Sequence, residues 1–363
     1  MPTKVLTDRA LNRALLHRQL LLDRTALNVV DAVEHLVGMQ AQAPNAPYLG
    51  LWSRLAAFTV EDLSTAITER TVVRSSLMRG TIHLVSAADC VALHPLTRII
   101  FERSVRAAPG LPAGAALDEV LAEAAGLLAD QPRSLAELRR LLAESRPDQD
   151  PEGMGRAARY LLPLVHVPPK GLWGQTGQAR MTTVRAWLGR DVEPHGDRAA
   201  MLRRYLAGYG PASAKDVQTW SGLAGWRDVF AGLDLRTFRD ERGAELFDLP
   251  DAALPDPDTP APVRLLPEYD NCLRSHTDRL RVMAAESRAA LFATKNDAPM
   301  PAFLVDGFVR GTWRLRQDRR TATVVIQPFA PLTKRHAAAV VGEAERLLAF
   351  VAPEGRDTHV LVE

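Results

Sequence analysis

What most limits the folds open to this chain is a local plan that recurs three times: two or three helices, then a short β-hairpin. Residues 145–155, 189–198 and 250–262 are rich in proline, glycine and charge and act as joints. They cut the 363 residues, too many for one small core, into four pieces. In the first piece Thr7 is placed to cap a helix reaching about residue 22, and Asn28, with Asp31 three positions on, caps the next. A third helix is expected from about Tyr48 and a fourth from Thr59, with Asp62 as its acidic partner. TVVRSSLMRGTIHLVS then turns to β-type composition around Gly80. The second piece repeats the plan with SLAELRRLLAE (a Ser134/Glu137 capping box), GRAARYLLPLV, and a hairpin from VPPKGLWG to Gln178–Val184. The third offers DRAAMLRRYLAGY, SAKDVQTWSGL, GWRDVFAGL and a hairpin turning at Arg242–Gly243.

Helix, turn, helix and hairpin make a winged helix. The expected fold class is therefore α+β, with three tandem winged-helix motifs at 1–130, 131–192 and 193–252, alike in architecture and not in sequence. Residues 260–363 differ. VRLLPEYDNCL, AFLVDGFVRGTWRLRQ and TATVVIQPF are short, alternating and turn-punctuated, which suggests an antiparallel sheet or small β-barrel. A helix from Lys334 to Phe350 and a terminal strand, HVLVE, should close the chain.

Composition narrows the function classes. At 47% hydrophobic and 24% charged the chain reads as a globular protein, with no apolar run near the roughly 18–20 residues that span a bilayer. Its charged N-terminus lacks a secretory core. Cys90 and Cys272 alone cannot build a disulfide framework or a multi-cysteine metal site. A cytoplasmic protein without membrane contact is expected. No P-loop or G-x-G-x-x-G after a strand is present, and the nine histidines lack ligand spacing, so neither a cofactor nor a metal is expected. His83, in TIHLV, reads as a structural histidine. The net charge of +2 is no signature in itself. Arginine, whose planar fork suits phosphate, dominates the basic residues, although a GC-rich genome gives the same bias.

Where the arginines fall is more informative. Arg156 and Arg159 lie one turn apart on the second helix of the second piece, and helix-turn-helix units usually dock on DNA. In VRGTWRLRQDRR, alternation places Arg310, Thr312, Arg314 and Arg316 on one face and Val309, Trp313 and Leu315 on the other, with Arg319 and Arg320 in the turn. Such a ribbon suits a phosphate backbone or a groove; it equally suits an edge strand protected by charge.

One stretch breaks its own pattern. In GMQAQAPNAP, residues 38–47, the apolar stripe of Val29, Val33, Leu36 and Val37 leads to a glutamine at 40, followed by another at 42. Pro44 disfavours helix at Ala43, so the chain should be extended here and send Gln40 and Gln42 to one side, with Asn45 close behind. A polar helix end and loop is the plainer alternative.

HLVGMQAQAPNAPYLGLWSRL, LMRGTIHLV, HVPPKGLWG, YGPASAKDVQTWSGL, LLPEYDNCL and LVDGFVRGTW resemble, in order from about residue 28 to 330, the signatures of the AlkZ/YcaQ family of bacterial DNA glycosylases. The resemblance implies three winged helices arranged around a C-terminal β-barrel, and hydrolysis of the N-glycosidic bond of N7-alkylated purines. Gln40-Ala41-Gln42 matches the Gln–apolar–Gln catalytic motif of the AlkZ-like branch; the YcaQ-like branch has Asp in the last place. The barrel hairpin is similar to an element that contacts DNA, which supports Arg310, Arg314 and Arg316 as DNA-binding residues beside Asn45, Arg156 and Arg159. The expected partner is double-stranded DNA carrying alkylated purines, met by a monomer, in repair or antibiotic self-resistance. No lysine lies near the motif in sequence, so a monofunctional reaction is expected. The rival readings are a winged-helix regulator and a protein that sequesters lesions without cutting.

Overall fold

The computed structural model describes residues 4–106, 110–292, 299–352 and 355–363 as a mixed α+β fold. Helix starts follow the capping chemistry. Thr7 Oγ1 accepts from the Ala10 amide at the head of Asp8–Arg18, and Asn28 Oδ1 accepts from the Asp31 amide at the head of Val29–His35. Reciprocal boxes join Thr59 to Asp62, Ser134 to Glu137 and Ser213 to Asp216.

The first and third hairpins form where expected, as Val72–Ser76 with Ile82–Ser86 and Arg236–Asp240 with Glu245–Asp248; in the second, Arg180–Thr183 pairs with Leu164–Val167, a segment expected to end a helix, while residues 168–174, expected in its first strand, turn instead. They do not stay separate. The first two pair through Arg74↔His166 and Ser75↔Val165. With the two-residue strand Met39–Gln40 at its edge beside Ile82–Ser86, they make one five-stranded sheet. The third hairpin gains Val5–Leu6 as a parallel partner.

Several expectations change. The stretch 145–155 is only half a joint, because Asp150 accepts from the Gly153 amide and starts the helix Pro151–Leu161 inside it. Residues 87–130, where no element was foreseen, carry the helices Ala87–Arg106 and Ala115–Asp130. The latter shares a core of Val120, Ala124 and Leu128 with Leu138, Leu142, Met154 and Ala158 of the next two helices.

Among the described residues the C-terminal strands form an open sheet rather than the expected barrel. Its order is Asp357–Val362, Thr321–Pro328, Phe308–Gln317, Ala302–Val305, Arg264–Leu266, so its two edges do not meet. Lys334–Val351 packs one face through Val340, Ala344, Leu347 and Leu348, in a core that also holds Leu36, Tyr48, Leu51 and Leu63 of the first hundred residues. The opposite face, through Ala302, Leu304 and Val309, shares a core with Leu15, Leu206 and Trp220. The chain's beginning is thus folded onto its end. No helix among the described residues is long and apolar enough to cross a membrane.

Candidate active site

The strand Met39–Gln40 exists because its neighbour enforces it. Gly38 sits at φ +86, a left-handed geometry, and a Cβ there would lie 2.7 Å from Val85 Cγ1 and 3.1 Å from the Leu84 carbonyl. Gln40 then pairs with His83, and the Ala41 amide donates to the Ile82 carbonyl at 2.8 Å. Met39 and Ala41 go into the core with Leu84, which leaves Gln40 and Gln42 on the other side. Both amides meet the tip of the 72–86 hairpin. Gln40 Oε1 accepts from Arg79 Nη2 at 3.0 Å, and Gln42 Oε1 accepts a long bond, 3.4 Å, from the Ile82 amide.

The two are not equivalent. Gln40 is buried, at 6% exposure, while Gln42 is exposed and lines an open cleft of about 360 Å³ with Ala43, Glu268, Tyr269, Pro299, Met300 and Pro301. Asn45 lies half-buried one turn on, its Oδ1 accepting from the Gly174 amide at 3.3 Å.

Behind Gln40 stands a cation from the hairpin turn that no local sequence signal marks. Arg79 adopts φ +55, costly for a residue with a side chain. Its guanidinium is held by the Trp220 carbonyl, by Gln40 and, at 3.4 Å, by His83 Nε2. Burial and the neighbouring Arg274 pull its pKa down to about 10, so it stays charged at neutral pH. Burial, then Arg79, pushes His83 down to about 3. With Nδ1 donating to the Thr81 carbonyl at 2.9 Å, the neutral ring offers Nε2 to Arg79 as an acceptor. His83 is thus a support for Arg79.

Glu268 and Tyr269, which line the same cleft as Gln42, belong to the segment PEYDN, residues 267–271, expected to continue a strand. Instead the strand ends at Leu266, Tyr269 turns at φ +63, and Asp270 caps a single helical turn, Asn271–Arg274. Asp270 takes a bidentate pair from the buried Arg54 at 2.8 and 2.9 Å, and Asn271 Nδ2 donates to the Gly38 carbonyl at 2.9 Å. These bonds pin the segment to the base of the glutamine strand. Arg74 reinforces it from the hairpin side, donating to the Ala41 carbonyl at 2.9 Å.

The remaining predicted residues lie elsewhere. Arg156 and Arg159 are half-buried on Pro151–Leu161. Arg159 stands over the Tyr160 ring and faces a separate cavity of about 290 Å³ with His94, Phe101 and His166. On the basic ribbon strict alternation fails. Phe303 pairs with Gly311 but Leu304 with Val309, so Arg310 is an extra residue in a β-bulge. The bulge sends Val309 and Trp313 into different cores, and Thr312, expected beside the arginines in solvent, is buried opposite Ala302. Gly311 permits this, since a Cβ there would meet the Gln327 carbonyl at 2.3 Å and the Phe303 ring at 2.4 Å. Arg310 and Arg316 are exposed; Arg314 is paired with Glu363 at 2.9 Å.

The model of the family described as DNA glycosylase AlkZ-like matches residues 33–350. The chain belongs to the AlkZ-like DNA glycosylase family. A curated relative, the interstrand DNA cross-link repair glycosylase of Streptomyces sahachiroi, is 27% identical over 353 residues, covering 91% of this chain and 92% of that protein. The solved structure of the Streptomyces sahachiroi DNA glycosylase AlkZ superimposes with a TM-score of 0.78 at 22% identity, covering 98% of this chain and all of the other. This AlkZ-like chain is therefore a DNA glycosylase, and the glutamine strand lies inside the region the family model covers.

Proposed function

We propose that the cleft beside Gln42 is the active site of a monofunctional glycosylase that hydrolyses the N-glycosidic bond of N7-alkylated purines in double-stranded DNA. The single observation that carries the assignment is the placing of two amides two residues apart, Gln40 buried at the end of its strand and Gln42 exposed and lining that cleft. Glutamine cannot take up a proton at neutral pH, so this pair suits a substrate whose leaving group needs no acid. A purine alkylated at N7 is cationic and departs neutral. The protein's task is then to orient one water against C1′ as the sugar becomes cationic. Gln42 Oε1, with only a long bond to give up, accepts one hydrogen of that water. Gln40, whose oxygen Arg79 already holds in one orientation, offers its second lone pair.

The recurring helix–hairpin units serve as winged helices that grip the duplex, with Asn45, Arg156, Arg159, Arg310, Arg314 and Arg316 as phosphate or groove contacts. Bulky adducts and interstrand cross-links are included among the substrates, a reading supported by the Streptomyces sahachiroi relative, an interstrand DNA cross-link repair glycosylase. The protein works in the cytoplasm as a monomer, in repair or self-resistance. Incubation with duplex DNA carrying N7-methylguanine should release the free base and leave alkali-labile sites, while uracil and unmodified purines stay in place. Release of uracil at a comparable rate, or borohydride trapping of a covalent adduct, contradicts the mechanism.

A further inference from the structure

We infer that Glu268 is a second catalytic group of this site: its carboxylate faces the reacting sugar in the cleft that Gln42 also lines and accepts the proton that the attacking water gives up. The inference rests on the active-site reading above and supplies what that reading lacks. When the water oxygen bonds to C1′, the C1′–N9 bond breaks and its electron pair leaves with the neutral purine. The water must then lose one proton. Neither amide can hold it, and Arg79 is already protonated. A carboxylate within the same cleft can take it, becoming a carboxylic acid, and pass it on to solvent.

The geometry is specific to Glu268. It shares the lining of the cleft with Gln42 and stands one residue before the left-handed Tyr269. Backbone strain of this kind, worth about 1–3 kcal/mol, persists only where surrounding contacts enforce it. Here the enforcement is visible, since Asp270 is turned inward onto Arg54 and Asn271 onto Gly38. The turn therefore sends one carboxylate to a structural partner and leaves its near neighbour in the cleft.

Electrostatics point the same way. Arg79, with Arg274 acting on it, places positive charge behind Gln40, which opposes the positive charge that develops on the sugar. A carboxylate lining the cleft offsets it. Burial raises the Glu268 pKa above its ordinary 4.5. Neither His83 nor Arg79 changes charge between about pH 5 and pH 9. His83 stays neutral down to about 3 and Arg79 stays charged up to about 10. Asp270 is ion-paired with Arg54, and Tyr269 is the other ionisable side chain lining the cleft among the described residues.

The sign of the shift distinguishes a catalytic carboxylate from a structural one. A group whose folded-state pKa is raised costs stability when ionised, so a neutral isostere should not weaken the fold at neutral pH. The test is single-turnover release of N7-methylguanine from duplex DNA between about pH 5 and pH 9 by the wild type, Glu268→Gln and Glu268→Asp, with melting temperature and DNA affinity measured alongside. The wild-type rate should climb along an acid limb above pH 4.5 and level off. Glu268→Gln should lose about 10²-fold and the limb with it, at equal or higher melting temperature and unchanged DNA affinity. Glu268→Asp should keep the limb at a reduced rate. A Glu268→Gln protein that cuts like the wild type, retains the limb or melts well below the wild type overturns the inference, as does a flat wild-type profile. A wild type that releases no base defeats the active-site reading itself, a separate outcome.

Discussion

The glutamine strand and the arginine ribbon are both predicted to face DNA, yet they are built in opposite ways. Around Gln40 and Gln42 the supporting side chains reach buried partners far away in sequence: Arg79 with Trp220, Asp270 with Arg54, Asn271 with Gly38. Around Arg310–Arg320 the charges stand in solvent, and the one ion pair there among the described residues, Arg314 with Glu363, is about 40% exposed on each side. The contrast follows from the two tasks. Aiming one water at one carbon tolerates little displacement, so the supports are rigid and desolvated. Gripping phosphates depends on net charge, which flexible exposed arginines provide.

That contrast can be broken from either side. The largest effect should come from Asp270→Ala, which strands the Arg54 guanidinium in a fully buried position. Removing one member of a buried pair costs about 3–5 kcal/mol, read as a lower melting temperature or denaturant midpoint. Arg79→Met should come next. With Gln40 free to rotate, base release should slow by about 10- to 10²-fold while DNA affinity barely changes. If affinity collapses instead, Arg79 belongs to the gripping surface and the division is wrong. On the ribbon, Arg310→Ala and Arg316→Ala should each weaken binding to all sequences alike and lower the salt-dependence slope by about 1. Arg314→Ala should do least, because an exposed pair with Glu363 is worth about 0–1 kcal/mol and already engages that charge.

The same contrast explains what was legible in the sequence. Caps and hairpin turns are set by residues three or four apart, so Thr7, Asn28, Thr59 and Ser134 announced their helices and Gly80 its turn. The two glutamines were visible because they break a local apolar stripe. Arg79, Glu268 and the Arg54–Asp270 pair were not, since their roles depend on contacts spanning 39 residues for Gln40–Arg79 and 216 for Arg54–Asp270. The bulge at Arg310 was hidden for a related reason. It is fixed by pairing with Ala302–Val305 and by the absence of a Cβ at Gly311, neither of which the alternation of a single strand reveals. Likewise, local strand signals gave the C-terminal sheet its members but not its closure, because closure depends on the two edge strands, Arg264–Leu266 and Asp357–Val362, meeting.

The central claim is that an exposed amide at the mouth of the cleft directs the water. Single-turnover excision of N7-methylguanine by Gln42→Ala, with duplex affinity measured on the same preparation, tests it most directly. The rate should fall by about 10²-fold or more while affinity stays within a few-fold of the wild type. A Gln42→Ala protein that releases the base at the wild-type rate would contradict the account.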